Sequence, residues 1–214
     1  MKLLCISASN NFRQGIKETT SFKICTRIVN EVKKNIPAAN CSIIELKNYN
    51  PTPCIDCVEC LSSHRCVTDD VFNEIYEKII GCDVLFIVSP HYAPIPAKLC
   101  MILEKMEAIA FNPWLKDNNY RSEVYGIPAG VISHGGTGEA WALREYKRVV
   151  NDPIYNALHT IQLKLIPYND EWKTGISVPP LKNIEDSLDS EYAIFEDYVN
   201  KVVHVYNAAE NRKD

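Results

Sequence analysis

The chain of 214 residues has no excess of basic charge: 23 Lys and Arg stand against 27 Asp and Glu, a net charge of −4. No face of the sequence is obviously basic, so nucleic acid is not an expected partner. No apolar run approaches the ~18 residues that a membrane-crossing helix needs, so no membrane partner is expected. Leu3 to Ile6 make a short apolar stretch near the start with no cleavage-site pattern after it, which does not read as a secretory signal. The expected location is the cytoplasm. Internal repeats and low-complexity segments are missing as well. Neither G-x-G-x-x-G nor a P-loop lysine motif occurs. A dinucleotide held in the Rossmann manner and a nucleoside triphosphate are therefore disfavoured. No general acid or base stands out, and no catalytic carboxylate is nominated.

Apolar residues make up 46% of the chain and charged residues 23%, ordinary values for one globular domain over residues 1–214. Nine cysteines are many for a reducing compartment, and an odd number cannot all pair within the chain. Cys5, Cys25, Cys41, Cys82 and Cys100 lie in or beside apolar segments and read as small buried hydrophobes. Cys54, Cys57, Cys60 and Cys66 are crowded into one loop, 50–70.

Leu3 to Ile6 reads as a buried strand, followed by a polar loop and a helix over about 20–35 with Ile24, Ile28 and Val32 at helical spacing. Cys41 to Leu46 is a second strand. Asp69-Asp70 can cap a helix over 71–81. Asp83 to Val88 is apolar on both faces, as a central parallel strand should be. Pro96 can open a helix over about 96–110, with a polar loop, 111–123, behind it. A fourth strand over Tyr125 to Ser133, a helix over 138–150, a helical piece from Pro153 and a fifth strand over Leu163 to Pro167 follow. The tail 174–214 ends in a helix over about 189–207 that buries Tyr192, Phe195, Val199, Val202 and Val203. Five alternations of strand and helix call for a parallel sheet covered on both faces, a three-layer α/β/α fold.

In such sheets ligands bind beyond the carboxyl ends of the strands. Three loops should meet there. Ser7 to Ser21 is rich in hydroxyls (Ser7, Ser9, Thr19, Thr20, Ser21, with Arg13 and Lys17 between), which suits either a phosphate monoester at a helix start or a solvated, ordinarily capped loop. Ser89 to Ile95 offers Tyr92 for stacking on a planar ring, or is a plain loop. Gly135, Gly136 and Gly138 leave backbone open to a ligand, or simply make a tight turn.

The hydroxyl-rich loop, the strand ending in S-P-x-Y and the S-x-G-G turn resemble those of the flavodoxin-like, NAD(P)H-dependent FMN reductases over about residues 1–168. The resemblance implies a doubly wound five-stranded sheet of order 2-1-3-4-5 and bound FMN. It places Ser9, Thr19 and Ser21 at the phosphate. Pro90, His91, Tyr92 and Ile95 would lie on one side of the isoalloxazine, and Ser133, Gly135 and Gly136 on the other. The first loop departs from the family pattern: it has no glycine after the strand and is a few residues longer.

The spacing C-x2-C-x2-C-x5-C allows three fates for the crowded thiols. Four thiolates suit a [4Fe–4S] cluster, and the spacing is near that of bacterial ferredoxins. Zinc also accepts four thiolates, or the thiols bind nothing. His64, between the third and fourth cysteines, reads as a solvent-facing loop residue. Placed between the second and third strands, the motif resembles that of the iron–sulfur flavoproteins. That likeness implies that Cys54, Cys57, Cys60 and Cys66 hold the cluster in a homodimer or homotetramer. The expectation is a flavin-dependent oxidoreductase in which FMN and a [4Fe–4S] cluster pass electrons to or from ferredoxin, NAD(P)H or a quinone. The alternatives are an NAD(P)H-dependent FMN or quinone reductase with no cluster, in which Trp114, Tyr120 or Trp141 could wall a nicotinamide site, and a zinc-bearing binding module.

Overall fold

In the computed structural model, residues 1–12, 18–184 and 193–210 are described. Arg13, Lys17 and Tyr192 lie outside them. The strands are β1 (Lys2–Ser7), β2 (Asn40–Glu45), β3 (Val84–Pro90), β4 (Pro128–His134), β5 (Lys164–Leu165) and β6 (Ile176–Val178). The helices are α1 (Thr20–Asn35), α2 (Cys60–Ser63), α3 (Asp70–Ile80), α4 (Ala97–Lys116), α5 (Ala140–Tyr146), α6 (Asp152–Thr160) and α7 (Ala193–Glu210). The strands are parallel, in the expected order β2-β1-β3-β4-β5.

Alternation along each strand sorts the core into two layers. Leu4 and Ile6 of β1 and Leu85 and Ile87 of β3 face Phe72 and Ile75 of α3, Leu99 and Ile102 of α4, and Ile154 and Leu158 of α6. Leu3, Cys5, Val84 and Phe86 point the other way, onto Ile24 and Ile28 of α1 and Val199 and Val202 of α7. Every residue of β3 is buried, which is why that segment carries no polar alternation.

The fifth strand departs from expectation. Only Lys164 and Leu165 pair with β4; the chain then leaves the sheet and returns as β6, which pairs with the upper half of β4. Pro167 offers no N–H to continue a ladder. In the gap, the Tyr198 hydroxyl accepts from the Val131 N–H at 3.1 Å and donates to the Ile166 carbonyl at 3.1 Å. A side chain from α7 thus completes the ladder where backbone cannot. The chain re-enters at Gly175, whose φ of 106° and contact with the Val131 carbonyl leave no room for a Cβ.

Three further expectations change. Helix α4 runs to Lys116, so 111–116 belongs to it; Pro113 sits in its last turns, where the missing N–H forfeits a single bond. Of the two helical pieces expected after β4, the first, α5, ends at Tyr146 rather than near 150, and a wide π-type turn at Lys147–Asn151 joins it to the second, α6. Cys5, Cys25 and Cys82 are buried, but Cys41 is half-buried and Cys100 is exposed. No helix among the described residues is long and apolar enough to cross a membrane.

Candidate functional site

The carboxyl ends of β1, β3 and β4 place three segments side by side, and backbone bonds tie them. Ala8 N–H donates to the Val88 carbonyl at 2.9 Å, and His91 N–H donates to the His134 carbonyl at 2.7 Å. The second loop then turns tightly: Tyr92 N–H donates to the Pro94 carbonyl at 2.7 Å, with Ala93 at a positive φ of 58°. His91, Tyr92 and Pro94 are exposed and Ile95 half-buried, while Pro90 is buried at the end of β3. A cleft of about 420 Å³ opens between the first and second loops, lined by Asn10, Asn11, Phe12, Tyr92 and Pro96. That is within the size range of small-molecule sites.

The first-loop hydroxyls have different duties. Thr19 caps α1, its Oγ1 accepting from Phe22 N–H at 3.2 Å. Ser9 Oγ accepts from Asn11 N–H at 3.3 Å. Ser21 Oγ lies 2.8 Å from His134 Nε2, both buried. The Ser7 hydroxyl, buried at the end of β1, has no partner among the described residues. A buried hydroxyl without a partner is the kind of group that a bound guest satisfies.

On the far side, Ser133 Oγ is within 2.7 Å of Ser177 Oγ, and Ser133 is buried within the ladder between β3 and β6, so neither its side chain nor its backbone is open at the loop. Gly135 packs directly on the Tyr146 ring, where a Cβ would overlap it. Gly136 is exposed, with open space where its Cβ would stand. The Tyr146 ring is 5.3 Å from that of His91, so one tyrosine backs both the second and third loops. His134, Tyr146 and Ser177 carry no local sequence signal: each acquires its role from a residue on another element. Burial lowers the His134 pKa from 6.5 to about 3, so its imidazole is neutral near pH 7.

The four crowded cysteines line one cavity of about 20 Å³, walled by Lys105, Ala108, Ile109 and Asn112 of α4. That volume holds about one water. Donor type and number suit a soft metal centre. Among the described residues, however, no three His, Cys, Asp or Glu side chains converge as a metal-binding group. Burial raises the Cys60 pKa, and Cys54, Cys57 and Cys66 each add to it. The loop is pinned at many points. Cys54 N–H donates to Glu104 Oε2 at 3.0 Å, and Asn73 bonds the Cys66 backbone in both directions, at 2.8 and 2.7 Å. Arg65 bridges Glu77 and Glu123. His64 is not free in solvent: it is half-buried, at 3.0 Å from the Tyr120 hydroxyl. Tyr120 thereby belongs to the cysteine loop and Trp114 stacks on Phe111 in α4; Trp141, exposed at the start of α5, stands beside the glycine turn.

Sheet order and convergent loops define a flavodoxin-like α/β protein. The sequence pattern of the NADPH-dependent FMN reductases matches residues 1–159, and the chain belongs to that family of flavin-dependent oxidoreductases. Solved structures share the fold. RosB, solved with 8-demethyl-8-formylriboflavin-5'-phosphate, is 14% identical, with TM-score 0.61 over 99% of this chain and 81% of that one. An azoreductase from Bacillus anthracis is 13% identical, with TM-score 0.56 over 97% and 99%. FerB, an NAD(P)H:(acceptor) oxidoreductase from Paracoccus denitrificans, is 11% identical, with TM-score 0.54 over 97% and 97%. Among curated proteins none matches this sequence.

Proposed function

We propose that the protein is a cytoplasmic NAD(P)H:acceptor reductase that carries FMN in the crevice above β1, β3 and β4, with a quinone or free flavin as acceptor. The convergence of three loops, two of them locked by the His91–His134 backbone bond, carries the reading. The orphaned Ser7 hydroxyl and the open face of Gly136 support it, because both fit a guest that brings a phosphate and a flat ring. When bound, FMN supplies the ability to take two electrons from a reduced nicotinamide and return them to an acceptor. The chain's own residues position it. Ser9, Ser21 and the α1 N-terminus face the phosphate, and Thr19 shapes that terminus as its cap. Pro90 to Ile95 flank the ring on one side, and the backbone of Gly135 and Gly136, just beyond the ladder that holds Ser133, on the other. Trp141 is placed to cover a nicotinamide.

A second reading adds a [4Fe–4S] cluster on Cys54, Cys57, Cys60 and Cys66; the observation favouring it is that all four thiols line one cavity. The cavity faces α4 at Lys105 to Asn112, whereas the ring loop ends where α4 begins, at Ala97. At helical rise that is about 12–22 Å along the axis. On this reading the protein is a homo-oligomer in which one copy's cysteine loop lies near another's ring site.

Anaerobically purified protein tests both readings at once. Stoichiometric FMN with NAD(P)H oxidation on a quinone and no iron supports the first. About four iron atoms per chain, lost in Cys57→Ser with FMN retained, supports the second. A protein that binds no FMN overturns both.

A further inference from the structure

We propose that His134 is a positioning residue for the FMN phosphate, holding the Ser21 hydroxyl so that its proton points to the anion. The inference rests on the FMN reading above and names the residue that organises its phosphate end.

Ser21 is the second residue of α1 and His134 the last of β4, 113 positions apart, yet Oγ and Nε2 meet at 2.8 Å with neither side chain open to bulk water. Helix geometry leaves the N–H groups of Thr20 and Ser21 without intrahelical acceptors. The next two are satisfied by Thr19, through its Oγ1 for Phe22 and its carbonyl for Lys23. The donors that this terminus leaves to a guest are therefore Thr20 N–H, Ser21 N–H and the Ser21 hydroxyl, and the buried Ser7 hydroxyl at the end of β1 is also unpartnered among the described residues.

A hydroxyl has one proton. Given to His134, it leaves Ser21 presenting only lone pairs, which repel a phosphate. If His134 donates from Nε2–H, Ser21 Oγ accepts there and its own proton is free for a phosphate oxygen. A neutral imidazole suits this task, since it adds no buried charge when the site is empty. The His134 carbonyl meanwhile accepts from His91 N–H, so the same residue joins the phosphate end to the ring loop. Any side-chain substitution preserves that backbone bond, which makes the imidazole's contribution separable.

The test compares FMN with riboflavin, which has the ring and no phosphate, by quenching of flavin fluorescence on apoprotein. His134→Ala should weaken FMN binding by at least about tenfold, the loss of one buried charge-assisted arrangement, and leave riboflavin binding unchanged. His134→Gln, which brings an amide N–H to about the same distance, should restore most of the FMN affinity. Added to Ser21→Ala, His134→Ala should cost nothing further. Thermal unfolding of each apoprotein verifies that it is folded. Unchanged FMN affinity in His134→Ala overturns the proposal, as does an equal loss for FMN and riboflavin. Wild-type protein that binds neither flavin overturns instead the FMN reading beneath it.

Discussion

Lys105 of α4 and Asp69 ahead of α3 form an ion pair sealed from water, each side chain 2% exposed. Asp69 also accepts from Thr52 N–H at 2.8 Å, from Thr52 Oγ1 at 3.1 Å and from Phe72 N–H at 2.9 Å. One carboxylate thus ties the entrance of the cysteine loop, the cap of α3 and the wall of the thiol cavity. Burial pushes its pKa up, but Lys105 and the two N–H donors outweigh burial and hold it below the usual carboxylate value.

Removing one partner of this pair should cost far more than removing both. Lys105→Met strands the Asp69 charge and is expected to lose about 3–5 kcal/mol of stability. Lys105→Met with Asp69→Asn should recover a substantial part. Urea unfolding of the single and double variants measures the difference; equal stability of Lys105→Met and wild type would contradict the pairing.

The two adjacent glycines should behave differently. A methyl on Gly135 meets the Tyr146 ring, so Gly135→Ala is expected to destabilise the apoprotein by about 1–3 kcal/mol. Nothing lies within 4 Å of a methyl on Gly136. Gly136→Ala should therefore stay within about 0.5 kcal/mol of wild type without flavin, yet weaken FMN binding because the methyl intrudes on the ring. Apoprotein melts and FMN titrations separate the two effects. Full FMN affinity in Gly136→Ala would place the ring elsewhere.

Stability should decline as acid is added, and His134 sets part of the slope. Its folded pKa is about 3 against an ordinary 6.5. Between those values the unfolded chain binds a proton that the folded protein refuses, so falling pH favours unfolding. The slope approaches about 1.4 kcal/mol per pH unit in that window. His134→Gln should flatten it. Urea midpoints from pH 7 to pH 4 provide the measurement, and an unchanged slope in the variant would show that His134 titrates normally.

Tyr198→Phe removes a single oxygen but leaves the Val131 N–H and Ile166 carbonyl facing each other across a gap. The expected loss is about 1–3 kcal/mol, with FMN affinity little altered because Val131 is at the middle of β4 and the loop begins beyond His134, about 10 Å further along the strand. A loss below about 0.5 kcal/mol, the size of an ordinary surface change, would mean that the two backbone groups close on each other unaided.

The layered sheet was legible in the residues because burial on two faces writes itself locally: Val84 to Val88 must be apolar throughout, and Ile24, Ile28 and Val32 must recur at helical spacing. The meeting of three loops was legible for the same reason, since each follows directly on a strand. Only the tertiary structure decided which side chains meet across those loops. Ser21 with His134, Gly135 with Tyr146 and Tyr198 with Val131 are pairs from different elements, and no periodicity relates them. The break between β5 and β6 and the run of α4 to Lys116 belong there too. Each depends on a distant partner or a surface position whose stabilisation is not encoded within a few residues. The four cysteines mark the boundary: their spacing announced a shared loop, while the folded chain determined that the loop rests on Lys105 and Asp69, because only packing can bring a buried charge to its counter-ion.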